Sequence, residues 1–375
     1  MSFRDVIGQE AVKNDLRELI TQNRLSHALL FLGKEGNGAL GLAYALAQYL
    51  VCTQKGEDAC GTCPACTKVQ QLVHPDIHYA YPVVTKKSGT PPLSTDYITE
   101  WREFFKSYPY GNVFDWLQFI GAENKQGNIT AAECNDILRK LSLKSFESDY
   151  KVLVMWMPEY LGNEGNKLLK LIEEPPPDTL FILVAENESL ILPTILSRCQ
   201  LIKIPALTDQ EIASALIERN KTAPELAHQT AGISEGNYRE ALQLLQHAEE
   251  DWQSLLRDWL NATLKTGPVA QTKWVEEVSR LGREKQKQFL RYFNHLLQQA
   301  IRLRIMGQLP LPEKELDFAH RLNKIASLEQ QQALVEELDK ASYYIERNAN
   351  AKMLFHALTI KLYHIIQDKI VFLNH

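Results

Sequence analysis

Apolar and polar residues fall along this chain in two regimes. Between His27 and Ile204, unbroken apolar runs alternate with stretches of helical spacing. The runs His27–Leu32, Lys151–Trp156 and Leu180–Ala185 read as buried strands, Lys151–Trp156 buried on both faces, and Leu201–Ile204 reads as a further strand. Helical spacing predicts helices over Glu10–Ile20, Gly41–Leu50, Ile129–Leu143 and Leu161–Ile172, the last stopped by Glu173-Glu174-Pro175-Pro176-Pro177. Leu192–Ser197 reads as a short turn or helix. Strand alternating with helix implies a parallel sheet in an α/β domain. From Thr208 onward only helical spacing remains. Thr208-Asp209-Gln210-Glu211 has the capping-box pattern of a helix start, and Gly232–Leu245 reads as another helix. From Asp251 the chain reads as helical throughout, with long segments at Val275–Met306, Leu328–Arg347 and Ala351–Gln367. Leu354, Leu358, Leu362 and Ile365 form one stripe, but no strict heptad persists. Packing into a helical domain, or against partner helices, is expected rather than a coiled coil.

Residues 79–128 break the alternation. Lys86-Lys87-Ser88-Gly89-Thr90-Pro91-Pro92 has loop chemistry, and Thr95–Ser107 reads as a helix carrying Trp101, Phe104 and Phe105. The region is expected to be an insertion. Its aromatics suit a local core better than stacking on nucleic-acid bases.

The first candidate site follows the first strand. Gly33-Lys34-Glu35-Gly36-Asn37-Gly38-Ala39-Leu40 stands between strand and helix, the setting of a phosphate-binding G-x-x-x-x-G-K-[ST] loop. Gly33 and Gly38 are in register, and Gly36 adds backbone freedom. Ala39 and Leu40 occupy the positions of the lysine that reaches the β/γ-phosphates and the hydroxyl that holds Mg²⁺. Three glycines in six residues also suit an ordinary turn. A second absence lies further on. A P-loop ATPase ends the strand after the insertion in acidic residues, and here Trp156 and Met157 stand there, with Glu159 two residues late and beyond Pro158. Loss of both halves argues for a relative that does not turn over nucleotide.

Cys52, Cys60, Cys63 and Cys66 have the spacing C-x7-C-x2-C-x2-C, a closed thiolate set for a structural Zn²⁺, with Gly61 and Pro64 supplying the turn. A redox pair or unrelated buried thiols are the alternatives. His74 is a further candidate ligand, with a turn or cap role favoured, while Cys134 and Cys199 read as ordinary buried cysteines. Arg198, in Pro193-Thr194-Ile195-Leu196-Ser197-Arg198-Cys199, lies between two strands where it can point outward. It suits either a local carboxylate partner or a γ-phosphate on a neighbouring molecule.

Bulk properties narrow the field. At 375 residues, a prior of roughly 150 per domain gives two or three domains. A net charge of −5 argues against polyanion binding by bulk charge. Met1–Asp5 has no signal-like apolar region, and no run approaches the ~20 apolar residues of a membrane span, so a cytoplasmic protein without membrane contact is expected. In that reducing setting the six cysteines are not expected as disulfides.

Taken together, these motifs resemble the clamp-loader branch of the AAA+ ATPases. The resemblance rests on His27-Ala28, the Gly33–Leu40 loop, the four-cysteine module after the loop helix, and Leu168-Leu169-Lys170-Leu171-Ile172-Glu173-Glu174-Pro175-Pro176. It also rests on Thr194-Ile195-Leu196-Ser197-Arg198-Cys199 and Gly236-Asn237-Tyr238-Arg239-Glu240-Ala241-Leu242. It covers residues 1 to about 245 with gaps and is loose around Asn348-Ala349-Asn350. It implies an AAA+-type three-layer domain over 1–206 with the zinc module at 52–66, a small helical lid over 207–249, and an all-α oligomerisation collar over 250–375. The resemblance assigns Arg198 as a finger completing a neighbour's ATP site and matches Arg239 to a nucleotide-sensing arginine. With no nucleotide, a packing or interdomain role is expected for Arg239. No ATP is expected as cofactor. Implied partners are the gamma/tau and delta subunits of a bacterial DNA polymerase III loader and, through them, a sliding clamp and primer-template DNA. Two rivals stand beside this reading. One is an active ATPase using Glu159, Lys34 or Lys151. The other is a zinc-bearing nucleic-acid module using the Trp101–Tyr110 aromatics.

Overall fold

The computed structural model describes residues 1–86, 89–122, 125–246, 252–308, 313–346 and 349–369. Lys87 and Ser88 of the expected loop, Asp251, Arg347, Asn348 and the last six residues lie outside them. The chain divides into two compact units, Met1–Gln243 and Leu244–His375.

The first unit is built on five parallel strands: β1 (Ala28–Leu32), β2 (Ile77–Ala80), β3 (Lys151–Trp156), β4 (Thr179–Ala185) and β5 (Gln200–Lys203), in the spatial order β2-β3-β4-β1-β5. β1 lies between β4 and β5, with Leu30 opposite Leu183 on one side and Leu201 on the other. Every residue of β3 and β4 is buried, which explains their continuous apolar runs. Edge strand β5 alternates between half-buried and exposed. The period-two geometry of a strand sorts side chains into two cores. Leu29, Phe31, Val152, Val154, Trp156, Ile182 and Val184 face one side. Leu30, Leu153, Met155, Phe181 and Leu183 face the other.

The first core is covered by α1 (Glu10–Thr21), α2 (Ala39–Val51), α3 (Pro64–Gln70), α4 (Ile98–Ser107) and α5 (Val113–Phe119). The second is covered by α6 (Ala131–Ser142), a 3-10 run at Pro158–Leu168, α7 (Leu169–Glu173) and α8 (Pro193–Leu196). The sheet and these two helical layers make a three-layer α/β domain of the AAA+ type. The helix expected over Leu161–Ile172 is instead this 3-10 run, kinked at Gly162 (φ 52), followed by the short α7. β2 was not predicted, and it holds Tyr79 and Ala80, so the irregular insertion begins after the strand. Three further helices end the first unit: α9 (Asp209–Asn220), α10 (Pro224–Ile233) and α11 (Tyr238–Gln246), within which the unit boundary falls.

The second unit is helical among its described residues: α12 (Trp252–Asn261), α13 (Pro268–Ser279), α14 (Arg283–Met306), α15 (Glu313–Ile325), α16 (Leu328–Glu346) and α17 (Ala351–Ile366). The single segment expected over Val275–Met306 is two helices, because α13 ends at Ser279 and Gly282 caps α14. Trp259 and Trp274 stack at 4.7 Å in its core beside Phe289, Phe293 and Phe355. On α17, Phe355, Leu358, Leu362 and Ile365 are buried, while Met353 and Ile360, seven residues apart, are 73% and 54% exposed. Among the described residues no helix is long and apolar enough to cross a membrane.

Candidate functional site

The glycine-rich loop leaves β1 and enters α2 as its spacing requires. Gly36 and Gly38 take φ of 73° and 90°, a region costly for side chains with a Cβ. What fills the loop is the chain itself. Asn37 donates from Nδ2 to the Ile204 carbonyl at 3.0 Å and accepts the Ala39 amide at Oδ1, also at 3.0 Å. The amide that would face a phosphate at the helix start is therefore already paired.

From above, residues of the insertion and of α11 press onto the loop. Tyr110 hydroxyl accepts the Ile7 amide at 2.8 Å, and a Cβ on Gly38 would lie 3.0 Å from the Tyr110 ring. The Tyr238 amide donates to the Gly36 carbonyl at 3.1 Å. Asn237 sits so close that a Cβ on Gly36 would lie 1.8 Å from its Oδ1. Glu35 accepts from Asn112 Nδ2 (2.9 Å), Asn237 Nδ2 (3.2 Å) and Arg239 Nη1 (3.1 Å). The Arg239 fork also grips Asp115, at 2.5 Å through both Nε and Nη2. The space left, walled by the loop, Pro109–Gly111, Trp156, Met157 and Val184–Glu186, is about 30 Å³. That is room for about two waters.

The positions read as missing the acidic pair have another use. Trp156 is buried, with its ring 5.2 Å from Trp101, and it extends an aromatic core of Tyr81, Phe104 and Trp116 supplied by the insertion. The Trp101 indole N–H donates to Tyr44 hydroxyl at 2.7 Å. Trp101, Phe104 and Phe105 are therefore local core, while Tyr108 alone of that group is largely exposed. Glu159 Oε1 accepts the backbone amides of Glu186 (2.7 Å) and Asn187 (2.9 Å), and burial raises its pKa. Glu186 is pushed up to about 8 by desolvation of its carboxyl and then by the charges of Glu35 and Glu159. Lys151 begins β3, at the opposite end from Trp156, and its ammonium donates to the Leu141 and Leu143 carbonyls. Six strand residues separate it from the loop side by about 17 Å. Lys34 is exposed.

The four predicted cysteines converge. Cys52 caps α2, Cys60 follows in the loop, Cys63 caps α3 and Cys66 lies in its first turn. Their sulfurs all lie within 4.8 Å of one another, and Cys60 and Cys66 Sγ are 4.0 Å apart. Sulfurs at about 2.3 Å from one tetrahedral ion would be about 3.8 Å apart, so the donor set fits such an ion. The Cys60, Cys63 and Cys66 amides point at the sulfurs of Cys52, Cys60 and Cys63, at 3.3, 3.3 and 3.5 Å. Burial opposes ionisation of Cys63, but hydrogen bonds from Cys66 and Thr53 outweigh it and hold its pKa down to about 6. Burial pushes Cys66 up to about 12. Asp58, within this module, accepts the Phe3 and Arg4 amides and so fastens the start of the chain to it. His74 stands apart from the cluster: Nδ1 accepts the Asp76 amide at 3.2 Å, the turn role favoured for it. None of the six cysteines forms a disulfide.

Arg198 follows α8. It is paired with Glu173: Nε donates to Glu173 Oε1 at 2.6 Å, and Nη1 donates to the Thr194 carbonyl at 2.7 Å. His27, Ile172, Glu173, Ser197 and Arg198 bound an open recess of about 420 Å³. The sequence reading did not find Glu35, Asn112, Asp115 or Asn237. Glu35 and Asn237 lie within two of the motifs that carry the resemblance, and for the other two the signal is Asn112-Val-Phe-Asp115, a capping box in which Asn112 Oδ1 accepts the Asp115 amide at 2.9 Å.

The sheet order, the glycine loop after a central strand and the trailing helices define an AAA+-type P-loop domain followed by a helical unit. The family described as DNA polymerase III, delta subunit matches residues 8–208, and this chain belongs to that family. It is 29% identical over 241 residues to DNA polymerase III subunit delta' of Bacillus subtilis, covering 64% of this chain and 60% of that protein. It is 27% identical over 305 residues to subunit tau of the same organism, covering 80% of this chain and 46% of that protein. It is 25% identical over 298 residues to subunit delta' of Escherichia coli, covering 78% and 75%. The chain thus spans three fifths and under half of the lengths of the two Bacillus relatives.

Proposed function

We propose that this chain is a non-hydrolysing clamp-loader subunit of the delta prime type, which braces a ring of subunits and completes a neighbour's ATP site. The observation that carries the reading is the occupied loop: the cradle that would receive a triphosphate holds Asn37, Tyr110, Asn237 and the Glu35–Arg239–Asp115 cluster, and about 30 Å³ remains. Glu35 and Glu159 put negative charge where a polyphosphate would bring more, and together with desolvation they already raise the pKa of Glu186. An active ATPase is disfavoured because Glu159 spends one oxygen on two backbone amides and Lys151 lies at the wrong end of its strand. The nucleic-acid module is disfavoured because Trp101, Phe104 and Phe105 are buried.

In this reading Arg198 is the finger offered in trans, and the recess beside it leaves room for a phosphate brought by another subunit. Cys52, Cys60, Cys63 and Cys66 hold a structural Zn²⁺, which with four protein ligands crosslinks the module and does no chemistry. Residues 207–249 act as the lid, and the helices from about 250 form the collar. Met353 and Ile360 on one exposed face of α17 suit packing against partner helices. The partners are gamma/tau-type and delta-type subunits and, through them, the sliding clamp and primed DNA. Titration calorimetry of the chain with MgATP tests the central point. No heat of binding is expected, and micromolar affinity would overturn it.

A further inference from the structure

The insertion between β2 and α6 has no part in the reading above beyond filling space. Its contacts give it one. Arg239, 5% exposed, is held by two carboxylates that reach it from different parts of the fold: Glu35 from the glycine loop and Asp115 from the first turn of α5. The guanidinium meets Asp115 through Nε and Nη2 together, the planar fork with which arginine takes a carboxylate or phosphate. Asn112, in the same turn, reaches the other Glu35 oxygen at 2.9 Å. Beside this cluster the Tyr110 and Tyr238 rings meet edge to face at 4.9 Å, and the Tyr238 amide donates to the Gly36 carbonyl. A glycine loop ordinarily closes with neighbouring cations around an anion; here the loop carries its own carboxylate, Glu35, and the neighbouring cation Arg239 closes on that and on Asp115.

We propose that Tyr110–Asp115 is a built-in occupant of the phosphate cradle, and that the Asp115–Arg239–Glu35 cluster clasps the Asn237–Arg239 segment to the glycine loop with no need of nucleotide. The proposal rests on the reading that the loop takes no ATP. In a nucleotide-gated relative of this architecture, the anion that closes such a cluster comes and goes. In this chain it is covalently part of the fold, so the joint between the sheet domain and the helices after Thr208 stays shut. The insertion thereby converts a ligand-dependent contact into a permanent one.

The Tyr238 amide reports the clasp, and its exchange with deuterium is the measurement. Asp115→Asn keeps the side chain's size and the acceptor for the Asn112 amide (3.2 Å) while removing the charge. Arg239→Ala removes the fork. Breaking a buried charge pair should speed exchange at Tyr238 on the order of a hundred-fold in either variant. The double variant should be no faster than the faster single, since both remove one interaction. Amides of β1 and β4 should stay protected, which separates an opened clasp from an unfolded chain. If Asp115→Asn and Arg239→Ala both leave Tyr238 exchange as in the unaltered chain, the clasp is wrong and the non-binding reading stands. If MgATP alters Tyr238 exchange in the unaltered chain, the loop takes nucleotide and both readings fall.

Discussion

Replacing Arg198 by alanine puts two magnitudes in competition. Within this chain Arg198 has Glu173 as its partner, but the two side chains keep 32% and 46% of their surface in water. A pair so exposed contributes about 0.2–1 kcal/mol. For a unit of this size that moves the melting temperature by no more than about 4 °C. A finger in trans is worth far more, about 10³–10⁵ in kcat at the site it completes. That corresponds to roughly 4–7 kcal/mol of transition-state stabilisation. The assay is single-turnover ATP hydrolysis by a complex reconstituted with its hydrolysing subunits, since steady-state rates mix the sites of a ring. Arg198→Ala should lower hydrolysis at the adjoining site by about 10³. The mass of the complex should be unchanged, and the isolated chain should melt within a few degrees of the original. Arg198→Lys should restore only part of the loss, because an ammonium is a point charge and not a fork. Hydrolysis at the original rate in an intact complex would refute the finger. So would a loss of hydrolysis explained by failure to assemble, because Arg198 would then be an interface residue only.

Two further outcomes follow from the cysteine cluster and from Glu186. The chain purified under reducing conditions should carry one zinc by elemental analysis; Cys63→Ser, or chelation, should cost several kcal/mol in urea titration and loosen the Phe3 and Arg4 amides held by Asp58. An unchanged unfolding midpoint after complete metal removal would contradict a structural ion. Glu186, raised from 4.5 to about 8, binds more protons folded than unfolded, so its contribution to stability is full below about 4.5 and is lost as pH rises through about 8. Glu186→Gln should therefore gain little near pH 5 and gain most above about pH 8. The gain should be about 1 kcal/mol or less, because the carboxyl is desolvated while the residue as a whole is still exposed to water, which screens it. A gain independent of pH across that window would rule out the carboxyl as its source.

The central strands β1, β3 and β4 were legible because burial on both faces writes itself as an apolar run; edge strand β5, half-buried and exposed by turns, was legible only from Leu201 and Ile202. β2 was not, because Ile77-His-Tyr-Ala80 mixes polar and apolar residues and runs straight into the insertion. The cysteine cluster could be read because its ligands are close in sequence: three of the four lie within seven residues and share one turn. The loop's occupants could not. Glu35, Asp115 and Arg239 are separated by 80 and 124 positions; the resemblance singled out Arg239, but Glu35 and Asp115 each alone look like a surface charge. Trp156 was noticed as an absence of acid, while its positive role, anchoring Trp101, depends on where the insertion folds back. The kink at Gly162 escaped because Leu161–Ile172 keeps helical spacing of its apolar residues through a glycine that leaves the helical backbone.

The indole at position 156 has a consequence for any attempt to give this chain an engine of its own. Reinstating a lysine and a threonine at Ala39 and Leu40 would place both in surroundings that are 7% and 6% accessible. Reinstating the acid at Trp156 would strip a ring from a core that also seats Trp101 and Phe104. Each reversal taken singly damages the fold before it restores any chemistry. If the chain is the non-hydrolysing subunit proposed above, the route back to catalysis is closed step by step.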